Sequence, residues 1–287
     1  MMYHSNYLLF LSRALYSLLG RHVIVQLDSF RFKASARLGH DVMVDVTRAP
    51  DTSSSFSASI RESEAPHTTF ITASIVAYPV DEGRREGGRG GGGEDRAHQW
   101  SAQAISDDAG LREAVEAPDK VMDVKVWLDE LDVNGLLAPH ALLSMFERGR
   151  SDALGGPDRL EALMAEGFMF VVARLDGYRF YPSIPIKEGA ALQVLGKFRA
   201  KSDAIVVCQQ PMRFGNKAFR SWHARLETTA PRAIENLLVA SQVLITKDTK
   251  EVVAHTLVTL ACINATTGKM QAVPSKAKES MGMGLPV

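Results

Sequence analysis

The chain has 287 residues, 46% hydrophobic and 23% charged, enough to build the cores of two ordinary domains. Its 33 basic and 33 acidic side chains cancel, which removes the general attraction that a nucleic acid or an acidic membrane would need. Cys208 and Cys262, both in apolar strand-like runs, are too few for a disulfide framework or a zinc site. A reducing, cytoplasmic compartment is therefore expected, with a mitochondrial one as the alternative.

From Tyr3 to Leu19 the apolar residues Tyr7, Leu8, Leu11, Leu15, Leu18 and Leu19 fall at helical spacing, while Leu9, Phe10 and Tyr16 load the other side. Such a helix is expected to be buried on most of its faces. Arg13 interrupts it, and it is shorter than the ~20 apolar residues of a membrane span, so no stable membrane insertion is expected. Alternation and β-branched content then predict strands over 22–32, 41–48, 56–61 and 68–79. Together these give a first module, 1–81.

Residues 82–118 are dominated by Gly and charge (GRREGGRGGGGEDR) and read as a linker. Gly88, Gly90 and Gly93 match a dinucleotide-binding pattern but lack the strand before and the helix after that a phosphate turn requires. A second module, 119–275, begins with a strand over 121–128, a helix over 138–154 and a strand over 168–181. Further strands are expected at 191–200, 239–245 and 251–263, with an insertion at about 204–238 and a tail at 276–287. Residues 204–210 compete as a strand of their own. The insertion holds Arg213, Lys217, Arg220, Trp222, His223 and Arg225, read as a surface loop, with phosphate pairing as the alternative.

The two modules repeat one another. MMYHSNYLLFLSRA (1–14) returns as LAPHALLSMFERGR (137–150), with Leu8 opposite Leu143, Leu11 opposite Phe146 and Arg13 opposite Arg148. VQLDSFRF (25–32) returns as ARLDGYRF (173–180), each followed by a glycine, Gly39 or Gly189.

The strings YHSNYLLFLSRA, ASARLGHDVMVDV, LDVNGLLAPHALLSMFERGR and TLVTLACINATTGKMQAVP resemble the hotdog-fold acyl-CoA thioesterases of the 4-hydroxybenzoyl-CoA thioesterase type. The quoted segments and the strands between them cover about two-thirds of the chain. The resemblance implies an α+β class and a tandem (double) hotdog, each module a long central helix wrapped by an antiparallel β-sheet. It implies hydrolysis of a fatty or aromatic acyl-CoA without a cofactor, at sites between paired modules that can assemble further as a homo-oligomer. A non-catalytic hotdog protein that binds acyl thioesters or serves as a structural partner is the alternative from another class.

The resemblance also assigns residues. An acidic residue before the central helix stands in a D-x-x-G pattern, here Asp132, Val133, Asn134 and Gly135. A carboxylate there can activate water or attack a thioester, while backbone N–H groups from Gly135 through Leu136 to Leu137, at the positive end of the helix, can meet an oxyanion. A turn or helix-capping role for Asp132 is the plain alternative. In the first module Tyr3, His4, Asn6 and Tyr7 match the Y-H-x-N-Y string, with His4 and Asn6 placed to polarise or bond a thioester carbonyl. The second module departs from it, carrying Pro139 and Ala141 with His140 displaced by one position. Pro139 fits only in the first helical turn. Glu147 and Arg148 read as a structural ion pair, with a lining role as the alternative. The other histidines show no ligand-like spacing, and no metal is implied. Because the first module lacks a leading strand and an acidic loop, sequence upstream of Met1 is expected to encode both.

Overall fold

The computed structural model describes residues 4–20, 22–33, 36, 40–50, 52–65, 67–79, 108–132, 135–182, 184, 186–202 and 235–283. Alternating apolar and polar residues make the first four strands, which follow helix α1 (His4–Leu19): β1 (His22–Phe32), β2 (Val42–Arg48), β3 (Ser55–Glu62) and β4 (Thr69–Pro79). In β3, Phe56, Ala58 and Ile60 are buried while Ser57 points outward, the pattern of a sheet covered on one face. After helix α2 (Ala109–Glu116) come β5 (Lys120–Lys125), the central helix α3 (Pro139–Ala153) and a second helix α4 (Gly156–Ala165). The chain closes with β6 (Phe168–Phe180), β7 (Ala191–Ser202), β8 (Glu235–Thr246), β9 (Val252–Asn264) and α5 (Ser275–Ser280).

The nine strands among the described residues join one antiparallel sheet in the order β2-β3-β4-β1-β6-β9-β8-β7-β5. α1 and α3 share one face of it and pack in a common core, with Tyr7, Leu8, Leu11 and Leu15 from α1 meeting Leu142, Leu143, Met145 and Phe146 from α3. Each fully buried Leu or Phe there contributes roughly 1.5–3 kcal/mol of transfer free energy. Burial along α1 is one-sided, contrary to the expectation of a helix enclosed on most faces: Tyr16 is 49% and Leu18 63% exposed. Gly149 lets α3 approach the sheet, since a Cβ there would lie 2.7 Å from Val194 Cγ1.

The register where β1 meets β6 is self-complementary. β1 pairs with β6 through Gln26–Arg179, Leu27–Tyr178, Phe30–Leu175 and Arg31–Arg174. Positions 26 and 31 of β1 correspond to 174 and 179 of β6 at the 148-residue offset that relates Val25 to Ala173, so each position faces the counterpart of its mirror. Irregularities recur at the same offset. β1 shifts register against β4 between Ile24 and Gln26 and again between Asp28 and Arg31, and β6 shifts against β9 between Val172 and Arg174 and between Asp176 and Arg179. Within the second shift Ser29 (φ 53°) and Gly177 (φ 54°) share a left-handed conformation. A Cβ at Gly177 would meet only Leu257 Cδ1 at 3.9 Å, so Gly177→Ala isolates the backbone cost. It is expected to destabilise the chain by about 1 kcal/mol in urea unfolding.

The structure redraws several boundaries. α2 lies inside the stretch read as linker: Asp108 caps it, accepting from Leu111 N, and Leu111 and Ala114 pack on Leu195, Val243 and Ile245 across the sheet from α3. The tail holds α5, which buries Ala277 and Met281. β8 starts at Glu235, inside the expected insertion, and α4 takes up the change from a 135-residue offset in the helices to 148 in the strands. The remainder of the linker (82–107), the insertion from 203 to 234 with its competing strand at 204–210, and Gly39 lie outside the described residues.

Candidate functional site between the two central helices

α1 and α3 run antiparallel. Asn6, near the start of α1, stands with the later turns of α3, while His140, at the start of α3, feels the charge of Arg13 from the later turns of α1. Between them opens a cleft of about 560 Å³. α3 supplies Ser144, Glu147 and Ser151, at the i, i+3, i+7 spacing of one helix face, and α1 supplies Asn6. Met122 of β5 and Pro157 of α4 form apolar walls.

Glu147 follows Phe146 in the sequence Glu-Arg-Gly-Arg, and the structure gives the two arginines other partners. Arg148 Nη2 donates to Glu130 Oε1 at 2.7 Å, so the expected Glu147–Arg148 pair is replaced by a link to the short 3₁₀ turn Leu128–Glu130. Arg150 is buried and donates from Nη1 to Gln242 Oε1 at 2.7 Å, while Gln242 Nε2 donates to the Phe146 carbonyl at 2.9 Å. Burial pushes the Arg150 guanidinium down to about 10, which leaves it charged at neutral pH. Glu147 is half-buried, and among the described residues its carboxylate has no hydrogen bond or ion pair. Burial raises its pKa, and the nearby charge of Arg150 opposes the rise.

Asp132 stands in a tight turn. Its Oδ1 accepts from Leu136 N at 3.0 Å, its carbonyl accepts from Gly135 N at 2.9 Å, and its own N donates to Leu136 O at 2.7 Å. Gly135 has φ 73°, which explains the glycine. Two of the three backbone donors expected to meet an oxyanion, Gly135 N and Leu136 N, are thus bonded to Asp132 itself. Leu137 is buried and Leu136 packs against the core. Pro139 is the first residue of α3, the position it needs.

Tyr7, which the family resemblance would set against substrate, is a core residue whose hydroxyl accepts from Ala36 N at 2.7 Å. Tyr3, Asn134 and the side chain of His4 lie outside the described residues. The structure therefore places Asn6 and Glu147 on one cleft, which Asp132 does not line. Sequence reasoning favoured a structural ion pair with Arg148 for Glu147 and kept a lining role as the alternative. The signal that finds it is the polar stripe Ser144, Glu147, Ser151 on a helix otherwise buried by Leu142, Leu143, Met145 and Phe146.

The chain shares its fold with a putative oleoyl thioesterase from Lactobacillus plantarum, at 10% identity and TM-score 0.50, over 89% of this chain and 86% of the other. A 1,4-dihydroxy-2-naphthoyl-CoA thioesterase from Synechocystis (12% identity, TM-score 0.39) and a probable thioesterase from Escherichia coli (20%, 0.38) match shorter parts. They cover 56% and 57% of this chain and 93% and 96% of their own. The fold is of the hotdog type, an antiparallel sheet about long central helices. One family profile, described as phosphotyrosyl phosphate activator (PTPA) protein, matches residues 180–262, less than a third of the chain and built in its described part mainly from β7, β8 and β9. No curated protein matches the sequence. Among the described residues no helix is long and apolar enough to cross a membrane, and no group of His, Cys, Asp and Glu could hold a metal ion.

Proposed function

We propose that the chain is a tandem pair of hotdog modules that hydrolyses the thioester of a fatty or aromatic acyl-CoA. The tandem reading is supported by the matched bulges of β1 and β6 and by the self-complementary register that joins them, the pattern of two copies related by a two-fold axis. The single observation that carries the hydrolytic reading is the cleft between α1 and α3, where an amide from one module and a carboxylate from the other, without a partner among the described residues, face a shared space. Thioester hydrolysis needs a carboxylate to activate water and a donor for the developing oxyanion. Met122 and Pro157 offer an acyl group apolar contact.

A second reading, an acyl-thioester binder without turnover, is favoured by the Asp132 turn, whose carboxylate already satisfies Leu136 N. The test is thiol release from a panel of short, long and aromatic acyl-CoAs, with binding followed in parallel by calorimetry. Turnover of at least one class supports the hydrolase. Saturable binding with no thiol released supports the binder.

A further inference from the structure

We infer that Glu147 is the group that activates water in this cleft, acting across the junction with the side-chain amide of Asn6, and that Asp132 is the anchor of a turn; this rests on the hydrolase reading above.

The charges around Glu147 are arranged to leave its carboxylate available. A Glu followed by two arginines on one helix would ordinarily be neutralised at once. Here Arg148 is held by Glu130 and Arg150 by Gln242, so the carboxylate keeps its reactivity while a buried positive charge stays close enough to temper its desolvation. The charged groups around it are Arg150, Arg148 and Asp152 of its own helix. α1, β5 and α4 contribute Asn6, Met122, Gly156 and Pro157, none of which titrates. A carboxylate with a raised pKa, in a cleft and without a partner among the described residues, is suited to general-base work near neutral pH.

The work is divided between the two central helices. Asn6 comes from the other central helix and brings two N–H donors, which a carbonyl oxygen needs as it becomes an oxyanion. Glu147 takes a proton from water while the water oxygen bonds to the thioester carbon, whose C=O electron pair moves to the oxygen held by Asn6. The tetrahedral intermediate collapses, the C–S bond breaks, and the departing sulfur receives the proton from Glu147. Acyl thioester and water become a carboxylic acid and a thiol, and the carboxylate is restored.

Asp132 has a different chemistry open to it. Its Oδ1 fixes the turn that delivers the chain to α3, and an Asn there has a side-chain oxygen that accepts the same bond from Leu136 N.

The experiment compares the wild type with Glu147→Gln, Glu147→Asp, Asn6→Ala and Asp132→Asn on an acyl-CoA that the wild type turns over, with melting curves as folding controls. Glu147→Gln should lower kcat by about 10²–10⁴-fold with little change in KM. Glu147→Asp should keep part of the rate, and Asn6→Ala should lose about 10²-fold. Asp132→Asn should keep more than about half of the wild-type rate, because it preserves the turn. In the wild type the acid limb of kcat/KM should lie above the ordinary carboxylate range, and it should vanish from the residual rate of Glu147→Gln. Full activity in Glu147→Gln overturns the inference, and an inactive but folded Asp132→Asn beside an active Glu147→Gln returns the role to Asp132. A wild type that turns over none of the thioesters overturns the hydrolase reading itself.

Discussion

Replacing Gln242 by Leu is expected to lower stability by roughly 3 kcal/mol, because it removes the acceptor that holds a buried guanidinium. Arg150 Nη1 reaches Gln242 Oε1 at 2.7 Å, and Gln242 Nε2 bonds the Phe146 carbonyl, so the single amide ties α3 to β8 twice. With Leu in its place the charge would stay buried beneath the helix without that partner. The loss should appear as a drop in Tm on the order of 10 °C for a chain of this size. Adding Arg150→Met to the same chain should recover much of it, since two apolar side chains of similar volume can replace a buried polar pair. A Gln242→Leu protein as stable as the wild type would show that Arg150 is held by something else.

Acid should weaken the fold through His255. This side chain of β9 is 2% exposed, its Nδ1 lies 3.3 Å from the Tyr181 hydroxyl, and burial, aided by the charge of Arg179 and opposed by Asp108, pushes it down to about 4. The folded state therefore keeps the imidazole neutral where the unfolded chain, with an ordinary value of 6.5, takes up a proton. The contribution is fully present above about pH 6.5 and is lost as the pH falls toward 4, by roughly 3 kcal/mol in all. Urea unfolding at pH 7, 6, 5 and 4 measures the slope, and His255→Gln, which never titrates, should flatten it. An equal slope in both proteins would rule out His255 as the cause.

Where burial alternates strictly, the sequence is a sound guide to this fold. β3 (Ser55–Glu62) lies where the alternation of Phe56, Ala58 and Ile60 predicts, and the kinship of VQLDSFRF with ARLDGYRF marks the two strands that pair with each other inside the sheet. What escaped it was set at long range. α2 hides among polar residues because only Leu111 and Ala114 of its eight residues are buried. The polar ties of the site are longer-ranged still. Arg150 finds its acceptor 92 residues away in Gln242, and no local pattern encodes that distance. Glu147 read as the ion-pair partner of Arg148 because the two are adjacent in sequence, and only the folded chain shows Arg148 engaged with Glu130 and Arg150 with Gln242. For Asp132 the sequence supplied two roles, and the geometry puts weight on the turn.

The self-complementary join of β1 and β6 has a bearing on how such a site can change. In an assembly of two identical chains every substitution arrives twice, and the two clefts must evolve in lockstep. With both modules in one chain, as in the tandem reading, each can drift alone. At the 135-residue helix offset, Asn6 corresponds to Ala141 and Glu147 to Ser12, whose hydroxyl donates to the Leu8 carbonyl of its own helix. The mirror-image position thus holds neither the amide nor the carboxylate, so on the hydrolase reading proposed above a chain with two module-sized halves is expected to bind one acyl group per polypeptide.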